Sequence, residues 1–163
     1  ITSEKQKKVK EQLVKESQSG DIFFNIEYSG LDLAGNRYIL KSEEAFNDKS
    51  NKEIINMKKV TATFYFKDDT TLFVSSEKGI YNNNTLDMSF KGNVKGKYEG
   101  SELFAQEAEY SNSKSYLAIK DKVKIRDVRG TMVADKLLFD IKNQKLNIAS
   151  YDDGTINTKV NLK

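Results

Sequence analysis

A 29-residue step separates Tyr81 from Tyr110 and Tyr110 from Phe139, and this period constrains the chain more than any other feature of it. Each of these aromatics stands in the same frame: an extended segment before it, a polar Asn/Ser/Lys turn after it, and a second extended segment beyond. The copies run Tyr38 to Val60, Leu72 to Val94, Ser101 to Ile125 and Gly130 to about Asp152. A supersecondary unit repeated in tandem cannot bury its apolar face alone, so neighbouring copies must stack and share one continuous core. The period therefore predicts an all-β fold, an elongated twisted stack of bent hairpins.

Aligning the copies shows which side chains share a face. Leu40, Val74, Leu103 and Met132 coincide, followed two residues later by Ser42, Ser76, Ala105 and Ala134. Three residues further stand Ala45, Gly79, Ala108 and Leu137, then Tyr81, Tyr110 and Phe139, with Asn47 in the first copy. An odd step in a period-two strand changes face, so a bend or bulge is expected between Ser76 and Gly79 and at the equivalent places. In the second strand Met88 and Phe90 match Leu117 and Ile119, Leu146 and Ile148, and Ile54 and Asn56 in the first copy. Val60, Val94 and Val123 follow them. The polar runs Asn82 to Asn84, Asn112 to Lys114 and Asn143 to Lys145 are turns.

Ahead of the repeats, residues 1–20 are charged, with Val9, Leu13 and Val14 at helical spacing and Gly20 as a stop. They read as a stalk or short helix before a single β domain over 21–163. From Asp21 the period is two, with Ile22, Phe24 and Ile26 alternating against Phe23, Asn25 and Glu27.

Composition removes several functions. The chain has 163 residues and a net charge of +3, from 27 basic and 24 acidic residues mixed along its length, so it carries no basic block for nucleic acid. It has no His and no Cys, which removes the usual nucleophile–base pairs and the imidazole and thiolate metal ligands; no catalytic residue and no metal site is expected. Asp68-Asp69 and Asp152-Asp153 sit in turn contexts, as solvated residues rather than an acid–base pair. Gly92, Gly96 and Gly100 follow a strand but lead into no helix, so they are not a nucleotide-binding loop. No cofactor is called for.

The apolar seam between the stacked hairpins is the candidate site. Alternating apolar residues are ordinarily core, but here small side chains (Ser76, Gly79, Ala105, Ala108, Ala134) recur beside flexible or flat ones (Met88, Phe90, Met132, Tyr110), a mixture that leaves space for a ligand. An open stack also ends in two unpaired edges. Thr155 to Leu162 alternates Ile156, Thr158, Val160 and Leu162 against Thr155, Asn157, Lys159 and Asn161, and such an edge invites a partner strand unless its lysines guard it.

The segments GLDLAGNRYILKSEEA (Gly30 to Ala45) and TLFVSSEKGIYNNNTLDMSFKGNV (Thr71 to Val94) resemble the LptC component of the lipopolysaccharide transport bridge, within the OstA-like β-jellyroll superfamily. The resemblance covers about residues 22–160. Its recurring pattern of alternating apolar residues followed by a glycine and a valine appears as Leu86, Met88, Gly92 and Val94; the third copy departs at Asp121, and the first at Asn56 and Lys58. The resemblance implies a periplasmic β-jellyroll, held to the inner membrane by an N-terminal helix outside this chain. It would take lipopolysaccharide from an inner-membrane extractor and pass it to a bridging jellyroll protein. Gly35 would match the family's turn glycine. The acyl chains would meet Leu40, Val74, Ser76, Gly79, Tyr81, Met88, Phe90, Leu103, Ala105, Ala108, Tyr110, Leu117, Ile119, Met132, Ala134, Phe139, Leu146 and Ile148. Transporter subunits would meet the N-terminal edge (Ile22, Phe24, Ile26, Tyr28), and the bridging protein the C-terminal edge (Thr155, Ile156, Thr158, Val160, Leu162). An arginine at Gly79 or Ala108 is expected to block lipid passage with the fold largely intact. The alternatives are the soluble bridging, LptA-like member of the superfamily and, in a different class, a structural or adhesin-type β-solenoid with a dry core.

Overall fold

The computed structural model describes residues 13–17, 20–150 and 156–161, with side chains described over 21–148. All of its regular elements are strands: β1 Leu13–Ser17, β2 Gly20–Leu31, β3 Arg37–Asn47, β4 Ile54–Tyr65, β5 Thr71–Asn82, β6 Met88–Tyr98, β7 Ser101–Ser111, β8 Tyr116–Asp127, β9 Gly130–Asp140, β10 Lys145–Ser150 and β11 Ile156–Asn161. They form one open antiparallel sheet in which each strand pairs with the next in sequence. The helix expected before Gly20 is not found where the chain is described, since Leu13–Ser17 is strand β1 and pairs with Gly20–Phe24. Its stripe of Leu13 and Val14 was too short to hold a helix against a neighbouring β-ladder. The rest of that stretch, Val9 included, lies outside the described residues.

The sheet is folded over on itself along a line through its middle. On β3, β5, β7 and β9 the buried positions jump by three at this line, from Ser42 to Ala45, Ser76 to Gly79, Ala105 to Ala108 and Ala134 to Leu137, as the repeat predicts. The turning itself is done mainly by the intervening strands. Their backbones carry left-handed residues at the line: Asn25 in β2, Lys59 in β4, Gly92 and Asn93 in β6, and Asp121 and Lys122 in β8. In β6 and β8 the ladder register shifts there, between Lys91 and Val94 and between Lys120 and Val123. Asp121 has φ +75° where the equivalent Gly92 has +87°, so the family glycine is replaced by a residue type that tolerates the left-handed region. Because β4 has one such residue rather than two, its register is one residue shorter. Ile55 and Met57, not Ile54 and Asn56, are therefore the buried counterparts of Met88 and Phe90.

Folding over produces two facing halves. One half contains Tyr38, Leu40, Phe64, Val74, Tyr98 and Leu103, and the other Ala45, Met57, Gly79, Phe90, Ala108 and Ile119. Their inward side chains form one cluster of buried residues. The halves differ in length. β1, β10 and β11 extend only the second, because β1 pairs with Gly20–Phe24 and β10 with Lys136–Asp140. Among the described residues, the outer sides of Ile26–Leu31 in β2 and of Gly130–Asp135 in β9 are consequently left without a strand neighbour.

This changes two expectations about the edges. Ile22 and Phe24 pair with β1, and the left-handed Asn25 places them on the opposite sheet face from Ile26 and Tyr28, which pack against the core. At the other end Met132, grouped with Val74 and Leu103 by alignment, is 44% exposed because the half it belongs to ends with its own strand.

Candidate functional site

Ladders of inward side chains run across the strands. In the second half one ladder reads Ala45, Met57, Gly79, Phe90, Ala108, Ile119, Leu137 and Ile148, each opposite the next, and every member is buried. In the first half Leu40, Ala62, Val74, Gly96, Leu103 and Ile125 are buried in the same way. The expected seam residues Tyr81, Met88, Ala105, Tyr110, Leu117, Ala134, Phe139 and Leu146 are also buried, so the structure brings the predicted set together apart from Met132. Asp32, in the turn after β2, is the one buried residue of formally charged type among the described residues.

Among the described residues the seam is closely packed, and the interior gap between Val74, Val94, Gly96, Leu103, Ala105, Ala108, Leu117 and Ile119 is about 10 Å³. That is no more than the room one water needs. Ser76 Oγ donates to the carbonyl of Lys78 at 2.8 Å, while Ser42 Oγ has no partner among the described residues. Gly79 is small because of close approach rather than spare room: a Cβ there would lie 3.0 Å from the Ser89 carbonyl oxygen and 3.0 Å from Val60 Cγ2.

Opposite the corner is the mouth, where the hairpin turns of the two halves meet. Here each aromatic of the 29-residue period faces a ring from the other half. Tyr81 meets Tyr28 at 5.0 Å between centroids, Tyr110 meets Phe64 at 5.0 Å, and Phe139 meets Tyr98 at 5.2 Å. Tilted ring pairs at such distances add about 0.5–1.5 kcal/mol each beyond the area they bury. Polar contacts tie the same line. The hydroxyls of Tyr38 and Tyr81 share a hydrogen bond of 2.9 Å, and Tyr110 donates to Asn112 Oδ1 at 2.9 Å. Gln144 Nε2, in the turn after β9, donates across the mouth to Tyr98 Oη at 2.7 Å and lies 3.3 Å from Asp68 Oδ2 and Thr70 Oγ1. Asp68 meanwhile accepts from Thr70 N at 3.1 Å, which fits the reading of that carboxylate as a turn residue.

Burial raises the hydroxyl pKa of Tyr81, Tyr110, Tyr38 and Tyr28, because the phenolate would have to leave water. For Tyr110 the nearby Asp32 adds to the effect, whereas for Tyr38 the hydrogen bond to Tyr81 offsets part of it. These hydroxyls therefore stay protonated at physiological pH.

Alignment by the 29-residue period missed the facing rings Phe64 and Tyr98, and placed Tyr28 only at an edge. A usable signal was present, since Phe64 and Tyr98 each stand four residues after the recurring valine, in Val60-x-Ala-x-Phe and Val94-x-Gly-x-Tyr. Gly35 lies in the Leu31–Arg37 turn with φ +88°, where Asp32 Oδ1 accepts from the backbone of Ala34 and Asn36 at 2.9 and 2.8 Å. Of the expected C-terminal edge, Ile156, Thr158 and Val160 belong to β11, while Thr155 and Leu162 lie outside the described residues.

An open antiparallel sheet folded into two halves around an apolar seam defines a β-jellyroll of stacked bent hairpins, a class built to bury apolar surface along a line. Residues 2–156 match the family described as "Lipopolysaccharide-assembly, LptC-related", and the chain belongs to that family of transport components. Among solved structures it is similar to the crystal structure of LptH, the LptA homologous periplasmic component of the conserved lipopolysaccharide transport device from Pseudomonas aeruginosa. That likeness has a TM-score of 0.54 at 11% identity and covers 76% of this chain and 93% of LptH; at this identity it concerns the fold. No curated protein matches the chain in sequence.

Proposed function

We propose that this chain is a periplasmic lipid conduit. It receives lipopolysaccharide from an inner-membrane extractor and passes the acyl chains along the seam to a bridging jellyroll protein. The observation that carries the reading is the uninterrupted buried ladder from Ala45 to Ile148 in a member of the LptC-related family. Each acyl methylene exposed to water costs about 0.8 kcal/mol, so several long chains crossing an aqueous space bare would cost tens of kcal/mol. An apolar path lowers that cost at every step. With so little interior room, an acyl chain enters only when the halves part, and its methylenes then replace ring contacts with contacts of the same kind. Such an exchange keeps each site from binding too tightly, as onward transfer requires.

The interior holds no Lys, Arg or Glu among the described residues, which favours recognition of acyl chains over headgroup phosphates. No catalytic residue, metal or cofactor enters this reading. Partner jellyrolls would add strands where the sheet is open: the transporter side along Ile26–Leu31, and the bridging protein along β11 and Gly130–Asp135. Family membership supports the inner-membrane-anchored role. The alternative is the soluble bridging, LptA-like component, and membrane fractionation of the full-length gene product separates the two.

The test places a photo-crosslinking residue at Phe90, Tyr110 or Ile119, with outward Lys124 as control, and incubates the protein with lipopolysaccharide. Adducts at the inner positions and none at Lys124 are expected. Absence of inner adducts would identify the seam as a dry core and leave a structural scaffold in its place.

A further inference from the structure

On the outer side of the sheet, beside the corner, β4, β5 and β6 set three lysines in a row. Lys58 stands directly opposite Lys78, and Lys78 directly opposite Lys91, all three exposed, while Glu44 stands opposite Lys58 and Glu107 opposite Lys91 at the two ends of the row. Like charges facing one another across strands destabilise a sheet, so such a row has a cost for folding. The ion pairs of the described residues are made elsewhere, at Lys120–Glu109, Arg126–Glu102 and Arg129–Asp127.

Two residues along each strand toward the turns, the next row across the sheet contains Phe46 and Ile80. They are 38% and 41% exposed. These two side chains, with Met57 and the three lysines, border a surface hollow of about 290 Å³ whose accessible lining is mostly apolar. The hollow lies on the face opposite the buried ladder and is not part of the seam.

We propose that this hollow is a second binding site, for one molecule of a single-chain anionic amphiphile. The alkyl chain lies over Phe46 and Ile80, and the phosphate, or an equivalent anion, sits among the Lys58, Lys78 and Lys91 ammonium groups. Charge complementarity selects the anion, because Lys78 has a lysine on either side, with the carboxylates Glu44 and Glu107 only at the ends of the row, and an anion beside it relieves that repulsion. The hollow is near the lower limit of ligand-sized pockets, which fits one chain rather than several. The site is independent of the transport reading, since Phe46, Ile80 and the three lysines lie on the face away from the seam.

The experiment follows amide resonances of the whole chain during titration with dodecyl phosphate below its micellar concentration. Saturable one-to-one shifts are expected at Phe46, Ile80 and Ser89, without shifts at Ala108 or Tyr110. The triple substitution K58Q/K78Q/K91Q should weaken binding about tenfold, the sum of modest exposed-charge contributions. Raising salt to about 1 M, where charge is screened beyond about 3 Å, should act in the same direction. Ile80→Ser, which leaves the charges in place, should weaken binding comparably, and inorganic phosphate alone should not bind.

Unchanged binding by the triple variant, equal binding of neutral dodecyl maltoside, or shifts confined to Ala108 and Tyr110 would each overturn the site. Shifts with phosphatidylglycerol vesicles but none with monomeric dodecyl phosphate would make the face a membrane contact, and also overturn it. Failure of lipopolysaccharide crosslinking in the seam would leave this result untouched.

Discussion

At the corner of the folded sheet the two halves are joined by continuous backbone, turned by left-handed residues from Asn25 through Lys59, Gly92 and Asn93 to Asp121 and Lys122. At the mouth they are held by rings and a few hydrogen bonds, with the Tyr38–Tyr81 hydroxyl pair and Gln144 bridging from one half to the other. Parting the corner requires rearranging covalently linked dihedrals in every strand that crosses it. Parting the mouth requires only that side chains separate and find other apolar neighbours. On the proposed function, an acyl chain would therefore enter at the mouth, with the corner acting as the hinge.

The strongest challenge to this contrast is Ala108→Arg. Ala108 is fully buried in the half that faces Phe64 and Tyr98. A guanidinium there is an unpaired buried charge, and a loss of more than about 4 kcal/mol in urea unfolding is expected. The closed seam thus replaces the expectation that arginine at this position leaves the fold intact. Gly79→Arg fails for a second reason, the 3.0 Å approach of Ser89 O and Val60. Parent-like unfolding of Ala108→Arg would mean that the seam is already open in solution.

Next in size is Tyr81→Ala, which removes a buried ring, its contact with Tyr28 and the bond to Tyr38. About 3–5 kcal/mol should be lost. If the mouth is the opening, this variant should also crosslink lipopolysaccharide at Phe90 faster than the parent does.

Alkaline unfolding probes the same rings without mutation. An unfolded tyrosine titrates near pH 10, whereas burial raises Tyr81, Tyr110 and Tyr38 above that. The unfolded chain therefore loses its protons first. Stability is fully present below about pH 10 and declines above it, at up to about 1.4 kcal/mol per pH unit for each buried hydroxyl. A stability curve flat to pH 12 would show that the mouth is already wet.

At the corner, Gly92→Ala should cost about 1–2 kcal/mol, since φ is +87° and a Cβ would lie 2.8 Å from Glu77 Oε1. It should leave crosslinking at Tyr110 unchanged. Smallest is Gln144→Ala, expected to lower stability by about 1 kcal/mol or less because its amide is only part-buried. Hydrogen exchange at the turns on either side of the mouth should nevertheless rise.

Much of the architecture was legible because stacking in register repeats the chemical demand at each position. Tyr81, Tyr110 and Phe139 recur because each fills the same place in successive layers, and the step of three from Ser76 to Gly79 reports a change of face at the bend. The first copy misled where β4 carries a single left-handed residue, which moved the buried pair from Ile54 and Asn56 to Ile55 and Met57. Met132 misled because a repeat reports what an interior copy needs and is silent about where a half-sheet stops. The strand at Leu13–Ser17 was hidden because five residues of mixed character become a strand only beside Gly20–Phe24.

The repeat by itself determined the hairpins, their order in the sheet, the face each strand turns inward and the absence of charge along that face. These follow from local periodicity and from the pairing of sequence neighbours. Only the tertiary structure decided that the seam is shut and that the rings of one half meet those of the other. It alone placed Lys58, Lys78 and Lys91 beside Phe46 and Ile80. Contacts between halves and rows across strands depend on register and bend angle, and both are set by left-handed residues that local alternation does not reveal.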